Sequence, residues 1–219
     1  MKKIVKTAAI LSIVTVTFFS CRKEKIEPLQ VEQTNTGTVK EENKPVKTTV
    51  NGLVQKGPFI SGSSITLYEL SNSFTASGKS FNTQITDNSG SFQISDIELS
   101  SNYVNMRADG FYFNEVTGKQ SNSQITLYAI AGIGTNINVN CITHLEKPRI
   151  EYLIKNGMSF SEAKTKAQQE VLKIFGIEKQ NVSVSELLTI CNTGDDNAIL
   201  LAVSCILQGV RTESELSEL

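Results

Sequence analysis

Between residues 48 and 140, apolar and polar positions alternate in short runs punctuated by Gly, Asn, Asp and Ser. A period of two is the mark of a strand with one buried face. Ile65 and Leu67 share a face of SSITLYEL, Phe81, Thr83 and Ile85 a face of KSFNTQIT, and Phe92 and Ile94 a face of SFQIS. The pattern continues with Val104, Met106 and Ala108, then Phe111 and Phe113, then Ile125, Leu127 and Ala129. With Val50 to Val54 these runs predict about seven strands joined by short turns, the spacing of an antiparallel β-sandwich. The same alternation buries Phe111 and Phe113 and exposes Tyr112. At the Asp87-Asn88 turn, side-chain to backbone bonds favour chain reversal, and Gly90 supplies a positive φ.

After Asn140 the period lengthens to that of helices. Pro148 suits the first turn of a helix that Gly157 ends. Ser159 and Glu162 form a capping box, and Ala163, Ala167, Val171 and Phe175 then recur every fourth residue up to Gly176. Ser185 is expected to cap a short helix carrying Leu187 and Leu188. Asp195 and Asp196 precede AILLAVSCILQ, where negative charge favours a helix N-terminus. That segment is apolar on nearly all sides, which predicts burial all round. A further capping box, Thr212 to Glu215, opens a helix that the sequence does not continue. The expectation is a truncated helical part, with a frayed charged tail as the alternative.

The first twenty residues have a third texture. Lys2, Lys3 and Lys6 precede an uncharged apolar run over residues 7–19, and Cys21 ends it. A spanning helix needs about 20 apolar residues, so the run reads as an export signal and not as a permanent anchor. Residues 22–47 are polar, without apolar periodicity. Such a segment buries too little surface to offset its ordering entropy and is expected to act as a tether reaching about 30 Å.

Phe18-Phe19-Ser20-Cys21 resembles the lipobox of bacterial lipoproteins, with Phe18 and Phe19 standing where that family has a leucine and a small residue. The resemblance implies cleavage before Cys21 and a diacylglycerol on its thiol, which anchors the chain stably in a membrane. Arg22 follows where an aspartate would imply retention at the inner membrane, so the implied address is the outer membrane of the cell envelope. A second resemblance covers roughly residues 48–130. Gly62-Ser63-Ser64-Ile65, Thr86-Asp87-Asn88-Ser89-Gly90-Ser91-Phe92 and Asp109-Gly110-Phe111 are similar, in that order, to elements of carboxypeptidase regulatory-like, or transthyretin-like, domains. That family implies an accessory Ig-like or transthyretin-like sandwich without catalytic residues of its own.

Composition narrows the chemistry. The chain has 219 residues, a net charge of −1, one histidine and no tryptophan. Near-neutral charge gives no argument for nucleic acid. His144, beside Glu146 near a helix start, lacks the spacing of a zinc site and reads as a surface or helix-terminal polar group. Cys141, Cys191 and Cys205 lie in apolar contexts and read as buried free thiols, with one disulfide and a leftover thiol as the alternative. Gly132-Ile133-Gly134 lacks the third glycine and the following helix of a nucleotide-binding turn. Asp87-Asn88 and Asp195-Asp196-Asn197 lack calcium-loop spacing and read as turn and cap chemistry. Tyr103, Phe111, Tyr112 and Phe113 are the densest aromatic patch, a weak basis for a glycan platform.

These readings combine into an α+β chain: a signal over residues 1–20, a tether over 21–47, a sandwich over 48–140 and a helical domain over 141–219. No catalytic, metal or cofactor-binding residues are assigned; Cys21 is the lipid-attachment residue. The expected role is a membrane-anchored structural or binding module for an envelope protein or glycan. The alternative is the accessory part of an envelope enzyme whose catalytic residues lie in the helical region or beyond residue 219.

Overall fold

The computed structural model describes residues 45–134, 136–209 and 211–218. Cys21 with the lipobox-like residues before it, the expected signal segment and all but the last three residues of the expected tether lie outside them. β1 (Val46–Gln55) starts inside the expected tether and pairs antiparallel with β4 (Ser91–Leu99). β2 (Ser64–Leu70) lies between β3 (Ala76–Gln84) and β5 (Tyr103–Gly110), both antiparallel to it. β6 (Phe113–Asn114) and β7 (Lys119–Gln120) form a small hairpin. β8 (Ile125–Gly132) pairs antiparallel with β5, and β9 (Val139–Asn140) pairs parallel with β1. The two larger sheets have the orders β4-β1-β9 and β3-β2-β5-β8. The architecture is α+β with several antiparallel pairings; β1 and β9 pair in parallel, and a parallel bridge joins Asn51 to Asn136.

The predicted strand faces mostly hold. Ile65, Leu67, Ile85, Phe92, Ile94, Val104, Met106, Ala108, Ile125, Leu127 and Ala129 are buried. At the turn, Asp87 Oδ1 accepts from the Ser89 amide at 2.9 Å, and Gly90 has φ +79°. A Cβ at Gly90 would lie 2.5 Å from the Val54 carbonyl oxygen, so the turn also needs the missing side chain for close approach.

Two stretches depart from the expected faces. Asp96 has φ +57°, and beside it the β1–β4 register slips, so burial passes from Phe92 and Ile94 to Ile97 and Leu99. The second corrects the reading of the aromatic run: Tyr112 is fully buried, whereas Phe113 is 43% exposed and Phe111 is half-buried. The even-numbered face that buries Val104, Met106 and Ala108 continues in phase through Gly110, where a Cβ would sit 2.0 Å from Ser63 Oγ, to Tyr112 and Asn114, so Phe111 and Phe113 fall on the other face. The chain leaves the sheet at Gly110, and Tyr112 makes a separate antiparallel bridge to Phe59.

The helical part starts earlier than Pro148 suggests. α1 (Cys141–Lys155) is capped by Asn140, whose side chain accepts from the Ile142 and Thr143 amides while Thr143 Oγ1 accepts from the Asn140 amide. Pro148 stands inside the helix. α2 (Phe160–Ile174) has the predicted Ser159–Glu162 capping box. A 3-10 turn, Ser185–Leu187, is entered from Val184 without a side-chain cap; Ser185 is engaged elsewhere. α3 (Asp195–Gly209) buries Leu200, Val203, Ser204, Leu207 and Gln208, but Leu201 is 40% and Ile206 54% exposed. It therefore packs by one face, not all round. α4 (Glu213–Leu216) carries the Thr212–Glu215 box.

Sheets and helices share one core. Val50, Ile65, Phe92 and Met106 belong to the same apolar cluster as Ile142, Val171, Leu200, Val203 and Leu216. A smaller cluster joins Leu70 and Ile130 to Ile150, Leu153, Ala163 and Ala167. At its edge Phe74, Tyr103 and Phe160 pack with ring centroids 4.4–5.3 Å apart.

Candidate functional site

α1 buries Ile142, Ile150 and Leu153 as an apolar stripe, and Glu146 falls on that stripe midway between the two isoleucines. α2 buries Ala163, Ala167 and Val171, with Lys164 and Gln168 one step round on the same inward side. The 3-10 turn brings Ser185 and Glu186 against both helices. Lys164 Nζ donates to Glu186 Oε2 at 2.7 Å and to Glu146 Oε2 at 3.2 Å. Ser185 Oγ donates to Glu146 Oε1. Gln168 Nε2 donates to the Ser183 carbonyl at 2.7 Å and to Ser185 Oγ at 3.0 Å.

Of this network, Glu146, Lys164, Gln168 and Ser185 line a cavity of about 200 Å³, together with Thr165, Gln169, Leu172, Lys179, Gln180, Asn181, Val182 and Val184. Glu146 is fully buried, and Lys164 and Gln168 are each 9% exposed or less. Burial pushes the Glu146 carboxyl above the usual carboxylate range, against the pull of the Lys164 ammonium and the Ser185 hydroxyl. Burial also disfavours the charge on Lys164, but the Glu146 and Glu186 carboxylates outweigh it and hold the ammonium above its ordinary value. We take the lysine as charged. At the mouth, Asn181 has φ +56°, a conformation asparagine tolerates better than most residues.

A second polar cluster lies in the shared core. Lys56 Nζ contacts Glu115 Oε1 at 2.7 Å and sits 5.4 Å above the Tyr112 ring. Ser204 Oγ donates to the same Glu115 oxygen and to the Lys56 carbonyl. Tyr112 donates its hydroxyl to Gln208 Oε1 at 2.9 Å. Burial pushes the Cys141 thiol up to about 11, so it is not a ready nucleophile. These contacts tie the β6–β7 region to α3, which is a structural task.

The residues singled out in the sequence are scattered. The His144 ring stacks on Tyr128 with centroids 5.7 Å apart, half-buried. Cys141, Cys191 and Cys205 are all free; Cys141 is buried, Cys205 half-buried and Cys191 exposed, its sulfur 3.2 Å from Gln55 Nε2. The expectation of three buried thiols thus holds at Cys141 and is corrected at Cys205, which is half-buried on α3, and at Cys191, which lies on the surface turn before α3. Asp196, in the first turn of α3, accepts from Lys179 and from the Ser183 amide; it ties residues 179–183 to the helix instead of serving as the expected cap. Asp109 binds Arg107 and the Thr126 hydroxyl. Tyr103, Phe111, Tyr112 and Phe113 do not form a common platform, since Tyr103 packs against Phe160 and Tyr112 lies in the core. Among the described residues no group of His, Cys, Asp and Glu could hold a metal ion, and no helix is long and apolar enough to cross a membrane.

The cavity network went unnoticed in the sequence, although it left a signal. Charged or amide side chains at Glu146, Lys164 and Gln168 interrupt inward helical stripes. Compared with known proteins, the chain has no significant match to a family model, a curated protein or a solved structure.

Proposed function

We propose that this chain is a lipoprotein of the bacterial cell envelope, anchored through Cys21, whose folded part is a structural or binding module for an envelope protein or glycan. The observation that carries the reading is the run from Lys2 to Cys21: basic start, short apolar stretch, small residue, cysteine. Arg22 favours the outer membrane. The polar stretch from Arg22 to β1 would hold the folded part clear of the headgroups.

The finer fold assignment belongs to the same proposal. The two larger sheets make a sandwich of the carboxypeptidase regulatory-like kind. Support comes from the Thr86-Asp87 turn leading into Phe92 and from Gly110 closing β5 against Ser63. A domain of that kind presents surfaces and positions partners.

The test is Cys21→Ala in the full chain. The wild type should incorporate labelled fatty acid, accumulate as a precursor under globomycin and partition into detergent. The variant should do none of these while keeping the same near-ultraviolet circular dichroism. Lipid still attached to the variant would overturn the anchoring.

A further inference from the structure

We propose that the outward face of α3 is the contact through which two copies of this chain pair, antiparallel and across a two-fold axis. The proposal is carried by the helix itself and does not depend on the lipid anchor. From Asn197 to Gly209 the helix has no charged side chain. Leu200, Val203, Ser204 and Leu207 face the core. Ala198, Leu201, Ala202, Ile206 and Gly209 are exposed on the opposite side, with Cys205 half-buried among them. The outward side of a surface helix is ordinarily polar, and a contiguous apolar face left in water marks an interaction site.

The face is complementary to itself. At about 3.6 residues per turn, Ala198, Ala202, Cys205 and Gly209 run down its middle, with Leu201 on one flank and Ile206 on the other. The stripe reads nearly alike from either end: Ala198 answers to Gly209, Leu201 to Ile206 and Ala202 to Cys205. A two-fold contact uses the same patch on both copies and needs that match. In the antiparallel pair Leu201 lies over Cys205 of the second copy, and Ile206 over its Ala202. Charge sets the direction. Asp195, its side chain 90% exposed, and Asp196 stand in the first turn of α3, and Arg211 is exposed just past its end. Antiparallel pairing brings each acidic, positive-dipole end beside the other copy's Arg211 end, whereas parallel pairing sets like ends together.

A lipid surface is the other occupant for an apolar helix face. Interfacial helices carry Lys and Arg on the polar side and bulky apolar residues on the other. Here the middle of the face is Ala, Ala, Cys and Gly, small residues that gain little in lipid but let a second helix approach to about 8–10 Å. A stable interface buries roughly 800 Å² per partner, more than one face of a 15-residue helix offers, so the pair is expected to form at micromolar concentration.

The experiment takes the purified full chain in mild detergent at micromolar concentration and reads its mass by light scattering, with the detergent subtracted. Two chains per particle are expected. Leu201→Glu and Ile206→Glu, both at exposed positions, should each weaken pairing about a hundredfold or more, because each copy then buries an unpaired carboxylate, while circular dichroism stays unchanged. Asp195→Arg and Arg211→Asp should each weaken it less, and the two combined should restore it. Single cysteines report the register. With Cys191→Ser and Cys205→Ser in place and Cys141 buried, a short bismaleimide should join two chains through Ala202→Cys, close to the two-fold axis, and not through Ala198→Cys, one turn further out. The proposal is overturned by a monomeric wild type, by dimers that persist in folded Leu201→Glu and Ile206→Glu, or by cross-linking through Ala198→Cys as readily as through Ala202→Cys. A monomer whose environment-sensitive label at Ala202→Cys becomes apolar only on adding lipid vesicles overturns it in favour of a lipid surface.

Discussion

At the scale of single residues, the buried charges dominate the response to mutation and pH. Lys164 compensates Glu146, which has no exposed surface. Lys164→Met leaves that carboxylate buried with the Ser185 hydroxyl alone, and breaking a buried pair costs about 3–5 kcal/mol. The Glu146 pKa is already above its unfolded value, and loss of the ammonium raises it further. Its penalty is therefore largest at high pH and disappears as pH falls below the unfolded value, where both states are protonated. Urea denaturation of wild type and variant should give a gap that narrows on acidification. A gap independent of pH would mean Glu146 is not the group left uncompensated. Asp196 has the opposite sign. Lys179 first, then the Ser183 amide and hydroxyl, lower its pKa from 3.8 to about 2. Its stabilisation is present above the unfolded value and is lost as pH falls through about 2. Asp196→Asn should lower the melting temperature at neutral pH, and the difference should shrink steadily below pH 3.8 and vanish near 2.

At the scale of elements, what was legible in the sequence was local. The Ser159–Glu162 box, the Gly90 turn and the strand faces through Met106 follow from neighbours within a few residues, so the sequence suffices for them. The start of α1 escaped because Asn140 and Thr143 cap it together, while Pro148, several residues later, mimics a first turn. The burial of Tyr112 follows the parity of Val104, Met106 and Ala108, which the two flanking phenylalanines mask in the sequence, and the bridge to Phe59 keeps that phase beyond Gly110. The cavity was half legible: Glu146 between Ile142 and Ile150 breaks an apolar stripe, but only the fold shows that Lys164 and Glu186 meet it. The burial of Tyr112 has a direct consequence for stability. Tyr112→Ala removes a fully buried ring and its bond to Gln208, which should cost about 3–5 kcal/mol. Phe113→Ala, at an exposed ring, should stay within about 0.5 kcal/mol. Guanidinium denaturation of the two variants distinguishes the two phases, and a reversal of their order would mean that Phe113 and not Tyr112 faces the core.

At the scale of the whole molecule, the change from β to helical texture at Asn140 is not a change of core. β9 ends where α1 begins, so the residue that closes a sheet also caps a helix. Ile142, Leu200 and Val203 pack in the cluster that holds Val50 and Ile65. Polar ties repeat the connection: Tyr112 to Gln208, Ser204 to the Lys56 carbonyl and Glu115, and Glu213 to the Asn114 side chain and the Asn122 amide. Separating the helices would expose the apolar face of one layer and strand Lys56 and Glu115 beside a vacated α3. Neither part then has a closed core of its own, and hydrophobic burial is the term that offsets chain entropy in each. The described unit should therefore unfold in one cooperative step. Far-ultraviolet circular dichroism, which follows the helices, and near-ultraviolet dichroism, which follows Tyr112 and its neighbours, should give coincident transitions, with calorimetric and van't Hoff enthalpies equal. Val203→Ala, made in α3, should lower the stability reported by both probes together, by the 0.5–3 kcal/mol usual for a core truncation. Two separated transitions, or a Val203→Ala effect confined to the helical signal, would show that the sheets and the helices are thermodynamically independent despite the contacts between them.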